Sequence, residues 1–257
     1  MKVSINILTW NNKSTIEKLM NTLKSEMIGI DHEYIFIDNG SDDGTLDIIT
    51  NWIVVNLKDN FKIKRNPVNL GISKGKNRGI DVSDGEYIMM LDGDVVPVSN
   101  SIRLMIEWMD KNKKEVALGM YPNKFSPTED HAEKYCEKLM GFKEHKCACL
   151  YYGIYRRKIF KKGLRMNEEG EFGKPGYGWE DHDFFQRFKK AGYIQHVAHI
   201  NKESGKYYHH INSSIRAMGR EKYMETSRAR DKQFKGIWDA TGQGAHKTPR
   251  RARHIRG

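Results

Sequence analysis

The sequence predicts an open α/β fold, a nucleotide-binding type of sheet flanked by helices, with a basic C-terminal extension. Three observations predict it. Short β-branched or aromatic runs recur at Val3 to Thr9, Tyr34 to Ile37, Phe61 to Lys64 and Tyr87 to Leu91. Segments of helical spacing separate the first of these runs, and three of the four end in Asn- or Asp-bearing loops: TWNN, IDNGSDDGT and LDGD. Strands alternating with helices form a mostly parallel sheet. Ligands of such sheets bind beyond the carboxyl ends of the strands.

The elements follow in order. VSINILT is apolar and β-branched, the pattern of a buried strand. Ser14 to Glu17 has the form of a capping box, and Ile16, Leu19, Met20, Leu23 and Met27 recur behind it at helical spacing. After Asp38 a turn-rich GSDDGT leads into a second helical pattern at Leu46, Ile49 and Trp52. NPVNLGISKGKNRGI, residues 66–80, reads as a glycine-rich loop carrying Lys74, Lys76 and Arg78. Beyond LDGD come a helical stripe at Ile102, Met105, Ile106 and Met109, a strand at Val116 to Met120, and a helix around Ala132, Tyr135, Cys136 and Leu139. Loops dominate thereafter, with a glycine-rich segment at 170–178 before a helix at Asp181 to Ala191.

Composition narrows the class. With 38% hydrophobic and 30% charged residues and ample aromatics, the chain is globular rather than disordered. No run approaches the roughly 18–20 apolar residues of a spanning helix. Ser4, Asn6 and Thr9 stand where a signal peptide would be apolar, so a cytoplasmic location is expected. Cys136, Cys147 and Cys149 are an odd set that suits a reducing compartment. With His131 and His145 their spacing matches no zinc-finger pattern. The net charge of +11 is concentrated: residues 201–257 hold 14 Lys and Arg against 5 Asp and Glu. The chain ends in a basic tail, KTPRRARHIR.

Asp92-Gly93-Asp94 carries the chemistry. Two carboxylates flanking a glycine at a strand end offer hard oxygen ligands to Mg²⁺ or Mn²⁺ that already holds a diphosphate. The order TWNN, IDNGSDDGT, NLGISKGKNRG, LDGD, then GIYRRKIF and GYGWEDHDFFQRFKKAGY, resembles family 2 glycosyltransferases, which have the GT-A fold, a Rossmann-like sheet flanked by helices. The resemblance covers roughly residues 1–195. It implies a nucleotide-sugar-binding half at 1–97, an acceptor-binding and catalytic half at 98–210 and a basic extension at 211–257.

The resemblance also implies roles. Thr9, Asn11 and Asp38 bind the donor, with Asp38 accepting from a base N–H in a way that suits uracil. Lys76 and Asn77 are donor-binding residues, with Lys76 the candidate for the diphosphate side. Asp92 holds ribose or sugar hydroxyls, and Asp94 is the main metal carboxylate. Asp181 is the general base of an inverting displacement, Glu180 orients the acceptor, and Trp179 and Arg156 lie on the acceptor side. His210, ahead of His209, is a further metal ligand, with His196 and His199 behind them. Taken on the residues alone, Asp38 also fits a turn cap, Lys76 a solvated lysine, and residues 180–183 a first-turn acidic group favoured by the helix dipole. The histidines also fit packed or surface positions. The chain carries neither spanning helices nor a Q-x-x-R-W motif, so transfer of a single sugar is expected.

For the acceptor, the cations of the C-terminal segment interleave with Tyr207, Tyr208, Tyr223, Phe234 and Trp238, as in nucleic-acid grooves. A hydroxylated base in phage-type DNA is the leading expectation. Envelope polysaccharide or a lipid-linked glycan at an anionic membrane surface is the alternative, and a non-catalytic nucleotide-sugar or nucleic-acid-binding module is a third reading.

Overall fold

The computed structural model describes residues 2–56, 60–120, 139–144, 150–170, 180–200 and 208–210. The elements are β1 (Val3–Thr9), α1 (Ile16–Glu26), β2 (His32–Asp38), α2 (Thr45–Asn56), β3 (Phe61–Arg65), α3 (Ile72–Asp81), β4 (Tyr87–Asp92) and β5 (Val95–Pro97). After them come α4 (Ser101–Lys111), β6 (Ala117–Met120), β7 (Leu139–Glu144), β8 (Tyr152–Arg156), α5 (Lys158–Lys161), α6 (Glu180–Lys190), β9 (His196–Ile200) and β10 (Tyr208–His210). No described helix is long and apolar enough to cross a membrane.

Eight strands form one sheet in the order β3-β2-β1-β4-β8-β6-β9-β7, and β10 pairs with β5 in a second, two-stranded sheet. β1 is parallel to both β2 and β4, and β2 to β3, so the carboxyl ends of these four strands share one edge. β8 runs antiparallel to β4 and β6.

Both faces of the sheet are buried, which explains why its strands read as continuous apolar runs. In β4, Tyr87, Met89 and Leu91 face a core shared with Leu19, Met20 and Leu23 of α1, Trp52 of α2, and Ile102, Met105 and Met109 of α4. The alternate residues Ile88 and Met90 face a second core with Ile80 of α3, Ile159 and Phe160 of α5, and Phe184 and Phe188 of α6. Each such side chain contributes about 1.5–3 kcal/mol on full burial.

Several expectations change. Residues 72–81 form a helix, not a loop. Glycines at 75 and 79 weaken the helical signal by about 1 kcal/mol each, but they occupy the face pressed on β1. A Cβ at Gly75 would lie 2.4 Å from Leu8 and one at Gly79 2.9 Å from Asn6. The expected capping box does not form. α1 starts at Ile16 without a side-chain cap, and the Thr15 hydroxyl instead lies 2.8 Å from the Gly93 carbonyl. Leu139 opens strand β7 rather than closing a helix, while Ala132, Tyr135 and Cys136 lie outside the described residues, as do all three cysteines, His131 and His145. β8 and β9 stand where loops were expected; β8 is buried along its whole length and so shows no alternation.

Gly40 tests how tightly the edge loops are built. Its φ is +79°, and a Cβ there would meet the Val68 backbone at 2.6 Å. Gly40→Ala is expected to destabilise the chain by about 2 kcal/mol, read as a lowered urea midpoint with unchanged m-value.

Candidate active site

Four loops meet at the carboxyl edge of β1 to β4. In the first, Asn11 takes a left-handed φ of 53°. It is held by reciprocal bonds: its Nδ2 donates to Asp42 Oδ1 at 2.9 Å and its Oδ1 accepts the Asp42 N–H at 3.0 Å. Trp10 beside it leaves its indole half exposed at this edge. The second and third loops are joined by Asn39, whose side chain fills its hydrogen-bonding capacity. It donates to Asn69 Oδ1 (2.8 Å) and the Gly71 carbonyl (3.2 Å), and accepts from Asn66 Nδ2 (2.8 Å) and the Leu70 N–H (3.1 Å). The fourth loop is Asp92-Gly93-Asp94. The Gly93 N–H donates to the Leu8 carbonyl at 2.8 Å, and a Cβ at Gly93 would sit 2.5 Å from Asn12 Oδ1. Glycine is therefore the residue that fits between the two aspartates.

The close seating of α3 sends Lys76 into this edge. The lysine is buried, and its ammonium donates to Asp92 Oδ1 at 2.5 Å and to the Leu150 carbonyl at 2.8 Å. Asp181, in the first turn of α6, joins the same group. Desolvation by burial, then the negative charge of Asp92, then that of Glu180 push its carboxyl up, and the Lys76 charge opposes them; its pKa rises from 3.8 to about 8. Glu180 is itself buried. α6 is fixed from below by ring packing of Phe184 on Phe160 at 6.4 Å and on Tyr155 at 6.2 Å. The structure thus brings Asp92, Lys76, Glu180 and Asp181 together from three separate segments. Asp94 stands beside them, nearly buried. β10 runs antiparallel to β5 with His210 opposite Val95 and His209 opposite Val96, so both histidines lie on the strand next to the one that follows Asp94.

A divalent ion on a diphosphate needs few protein ligands, and oxygen donors suit Mg²⁺ and Mn²⁺. Asp92 and Asp94 on one loop meet that need. Among the described residues no group of three or more His, Cys, Asp and Glu could hold an ion by itself.

Other expected residues have structural employment. Thr9 is fully buried, its hydroxyl 3.5 Å from the Ile37 carbonyl and its carbonyl bound by the Asn39 N–H. Asp38, also fully buried, accepts the Ser41 N–H at 3.3 Å. Both amide atoms of Asn77 are engaged: its nitrogen donates to the Met166 carbonyl and Glu168, and its oxygen accepts the Met166 N–H. Arg156 is a correction. It pairs in register with Tyr87 at the opposite end of β4 from Asp92, about 17 Å away at strand rise. There its guanidinium binds the carbonyls of Met109 and Glu115 and the Tyr87 hydroxyl. It tethers the carboxyl end of α4 and cannot reach an acceptor at the other edge. His196 likewise sits at the amino end of β9, 2.6 Å from Glu115. Trp179 and the basic extension lie outside the described residues. Asn39, Asn66 and Asn69 were missed as a group; their signal is the density of Asn in consecutive strand-end loops.

The profile of glycosyl transferase family 2 matches residues 4–164. The chain belongs to this family. Curated relatives include the abequosyltransferase RfbV of Salmonella typhimurium, 30% identical over 113 residues, 43% of this chain and 33% of the relative. A poly(ribitol-phosphate) β-glucosyltransferase of Bacillus spizizenii is 28% identical over 46% of this chain and 19% of its own length. The chain thus matches a third or less of these relatives. Staphylococcus aureus TarS, residues 1–349 with UDP-GlcNAc, superposes with a TM-score of 0.59 at 18% identity over 83% of this chain and 61% of TarS. Mannosyltransferase PcManGT of Pyrobaculum calidifontis, with GDP-Man and Mn²⁺, gives 0.58 at 15% over 77% of this chain and 56% of that one. The family 2 chain therefore has the fold of these GT-A transferases. Glu180 and Asp181 lie beyond the residues that the family profile matches.

The raised pKa of Asp181 has a consequence for stability. The folded chain holds this proton more tightly than the unfolded one, so stability falls as pH rises from about 4 to about 8. Asp181→Asn removes that cost. In chelator-treated protein the variant is expected to melt at least about 2–4 °C above wild type at pH 8.5 and together with it near pH 4, measured by thermal scans across pH.

Proposed function

We infer that this chain is a metal-dependent inverting glycosyltransferase that moves one sugar from a nucleotide sugar, UDP-linked in the first instance, to a hydroxyl on an anionic polymer. The observation that carries this reading is the convergence of Asp181, Glu180 and Asp92 around the buried ammonium of Lys76, with Asp94 two positions after Asp92.

An acceptor hydroxyl is a poor nucleophile until its proton is removed in the transition state. Asp181 takes that proton as the acceptor oxygen bonds to the anomeric carbon and the bond to the diphosphate breaks on the opposite face. The environment of Asp181 suits a base, because a carboxylate pushed up toward neutrality binds a proton more strongly than an exposed one. Glu180, its neighbour, orients the acceptor. Asp94 and Asp92 hold Mn²⁺ or Mg²⁺, with His210 or His209 as a further ligand. That ion supplies Lewis-acid stabilisation of the charge on the leaving diphosphate. Lys76 offsets Asp92, which lets two further acids and a diphosphate share one small volume.

The basic C-terminal segment supports a polyanionic acceptor. A hydroxylated base in DNA is the first reading. A polyol-phosphate polymer is the second, favoured by the names of relatives that glycosylate poly(ribitol-phosphate).

Sugar transfer from a panel of nucleotide sugars, followed by acceptor mass, tests this. Asp94→Ala and Asp181→Asn are each expected to lower turnover by about 10²–10⁴-fold, and EDTA to abolish it reversibly. For wild type, kcat/KM should climb with pH, pass half its maximum near pH 8 and level off above it. Retained turnover in Asp181→Asn would remove the base assignment. Hydroxymethylated DNA and poly(ribitol phosphate) run in parallel separate the two acceptors.

Deleting residues 245–257 removes Lys247, Arg250, Arg251, Arg253 and Arg256. Affinity for the polyanion should drop and its salt dependence flatten, while hydrolysis of the nucleotide sugar is unchanged. Equal affinity at several salt concentrations would exclude a role for the tail.

A further inference from the structure

Thr15 is the N-cap residue of α1, yet its side chain caps nothing in that helix. It is buried, with its hydroxyl 2.8 Å from the Gly93 carbonyl and 3.1 Å from that of Asn12. The Asn12 carbonyl already accepts the N–H groups of Thr15 and Ile16, each at 2.9 Å, so both of its lone pairs are engaged. The single hydroxyl hydrogen of Thr15 therefore goes to Gly93, 78 residues away in the chain. The chemistry described above makes no use of this bond.

Gly93 links Asp92 to Asp94, and a glycine is the most freely rotating link a chain can have. Both of its peptide groups are nevertheless held. The peptide between Asp92 and Gly93 donates its N–H to the Leu8 carbonyl at 2.8 Å. The peptide between Gly93 and Asp94 presents its carbonyl to Thr15. We propose that Thr15 is a positioning residue for the divalent ion. By holding the Gly93 carbonyl it fixes the plane of the peptide that leads into Asp94, and so sets the angle at which the two carboxylates share one ion. This rests on the reading that Asp92 and Asp94 hold the metal.

The segment that bears Thr15 is itself anchored. The Asn12 N–H donates to Thr45 Oγ1 at 2.8 Å and the Lys13 N–H to Asp43 Oδ2 at 2.9 Å, while the Thr45 hydroxyl donates to Asp43 Oδ1. Asn12 Oδ1 accepts the Trp10 N–H at 2.9 Å. The loop after β1 is thus bonded to the loop after β2, and Thr15 extends that frame to the loop after β4. Mg²⁺ demands a near-ideal arrangement of its oxygen ligands, so a carboxylate that swings on a loose glycine binds it less well. Groups that orient a metal's ligands without touching the ion change metal affinity by about 10–100-fold when removed. The position calls for a hydroxyl: Val has the shape of Thr without the donor, and Ser retains the donor.

Calorimetric titration of the full chain with UDP, and in parallel with GDP, tests the proposal when run once in Mn²⁺ and once in EDTA. The quantity read is the gain in nucleotide affinity that the metal confers. Thr15→Val and Thr15→Ala should each cut that gain by about ten-fold and leave the affinity in EDTA at the wild-type value, whereas Thr15→Ser should keep most of the gain. Asp94→Ala should abolish it. Urea unfolding checks that each variant is folded under the titration conditions. A wild-type gain in the Val and Ala variants, a Ser variant no better than Ala, or an equal loss of affinity in Mn²⁺ and in EDTA would each overturn this proposal alone. Failure of Mn²⁺ to raise the affinity of wild type for either nucleotide would overturn the metal reading and this proposal with it.

Discussion

Crowding of negative charge at one end of the sheet is the constraint around which this chain is organised. Asp92, Asp94, Glu180 and Asp181 come from two segments nearly ninety residues apart. Each carboxylate taken out of water would be costly without a counter-charge. The buried ammonium of Lys76 supplies one, bound to Asp92 and held by the Leu150 carbonyl. It also opposes the rise in the pKa of Asp181 without cancelling it. The residual strain leaves Asp181 with a high affinity for a proton.

That arrangement depends on a backbone contact. Lys76 reaches Asp92 because α3 lies hard against β1, and α3 can do so because Gly75 and Gly79 face Leu8 and Asn6. The same helix is steadied on its other side by Asn77, which holds the Met166 backbone and Glu168. Asn39, Asn66 and Asn69 fasten the loop before α3 to the loop after β2. Polar side chains here do the work of a frame, since their bonds are directional and fully satisfied. Stability and function therefore draw on the same few contacts.

The family likeness divides the chain in a way that matches this architecture. The profile covers β1 through α5 and ends before α6, and the two relatives described above match only 113 and 120 residues of the chain. The shared part builds the carboxyl edge of the parallel strands, where the Asn- and Asp-bearing loops meet. α6 is anchored by an aromatic cluster of Tyr155, Phe160, Phe184 and Phe188. Such packing holds the acidic first turn of α6 in place.

The sequence by itself determined most of the parallel half of the sheet, because β1, β2 and β4 are compact apolar runs closed by Asn or Asp, and helices α1, α2 and α4, because their stripes keep a 3.6-residue period. It also singled out Asp92, Asp94, Glu180 and Asp181, whose motifs are local. It could not reveal α3, whose glycines depress helix propensity and matter only for packing against β1. Nor could it reveal β8, which lacks alternation because it is buried on both faces. Arg156 looked like a site residue because it follows a family motif; strand register alone places it at the far end of β4. The pairing of Lys76 with Asp92, of Thr15 with Gly93, and the raised pKa of Asp181 were decided by tertiary structure. Each depends on distance and burial between residues remote in the chain, quantities that no local pattern encodes.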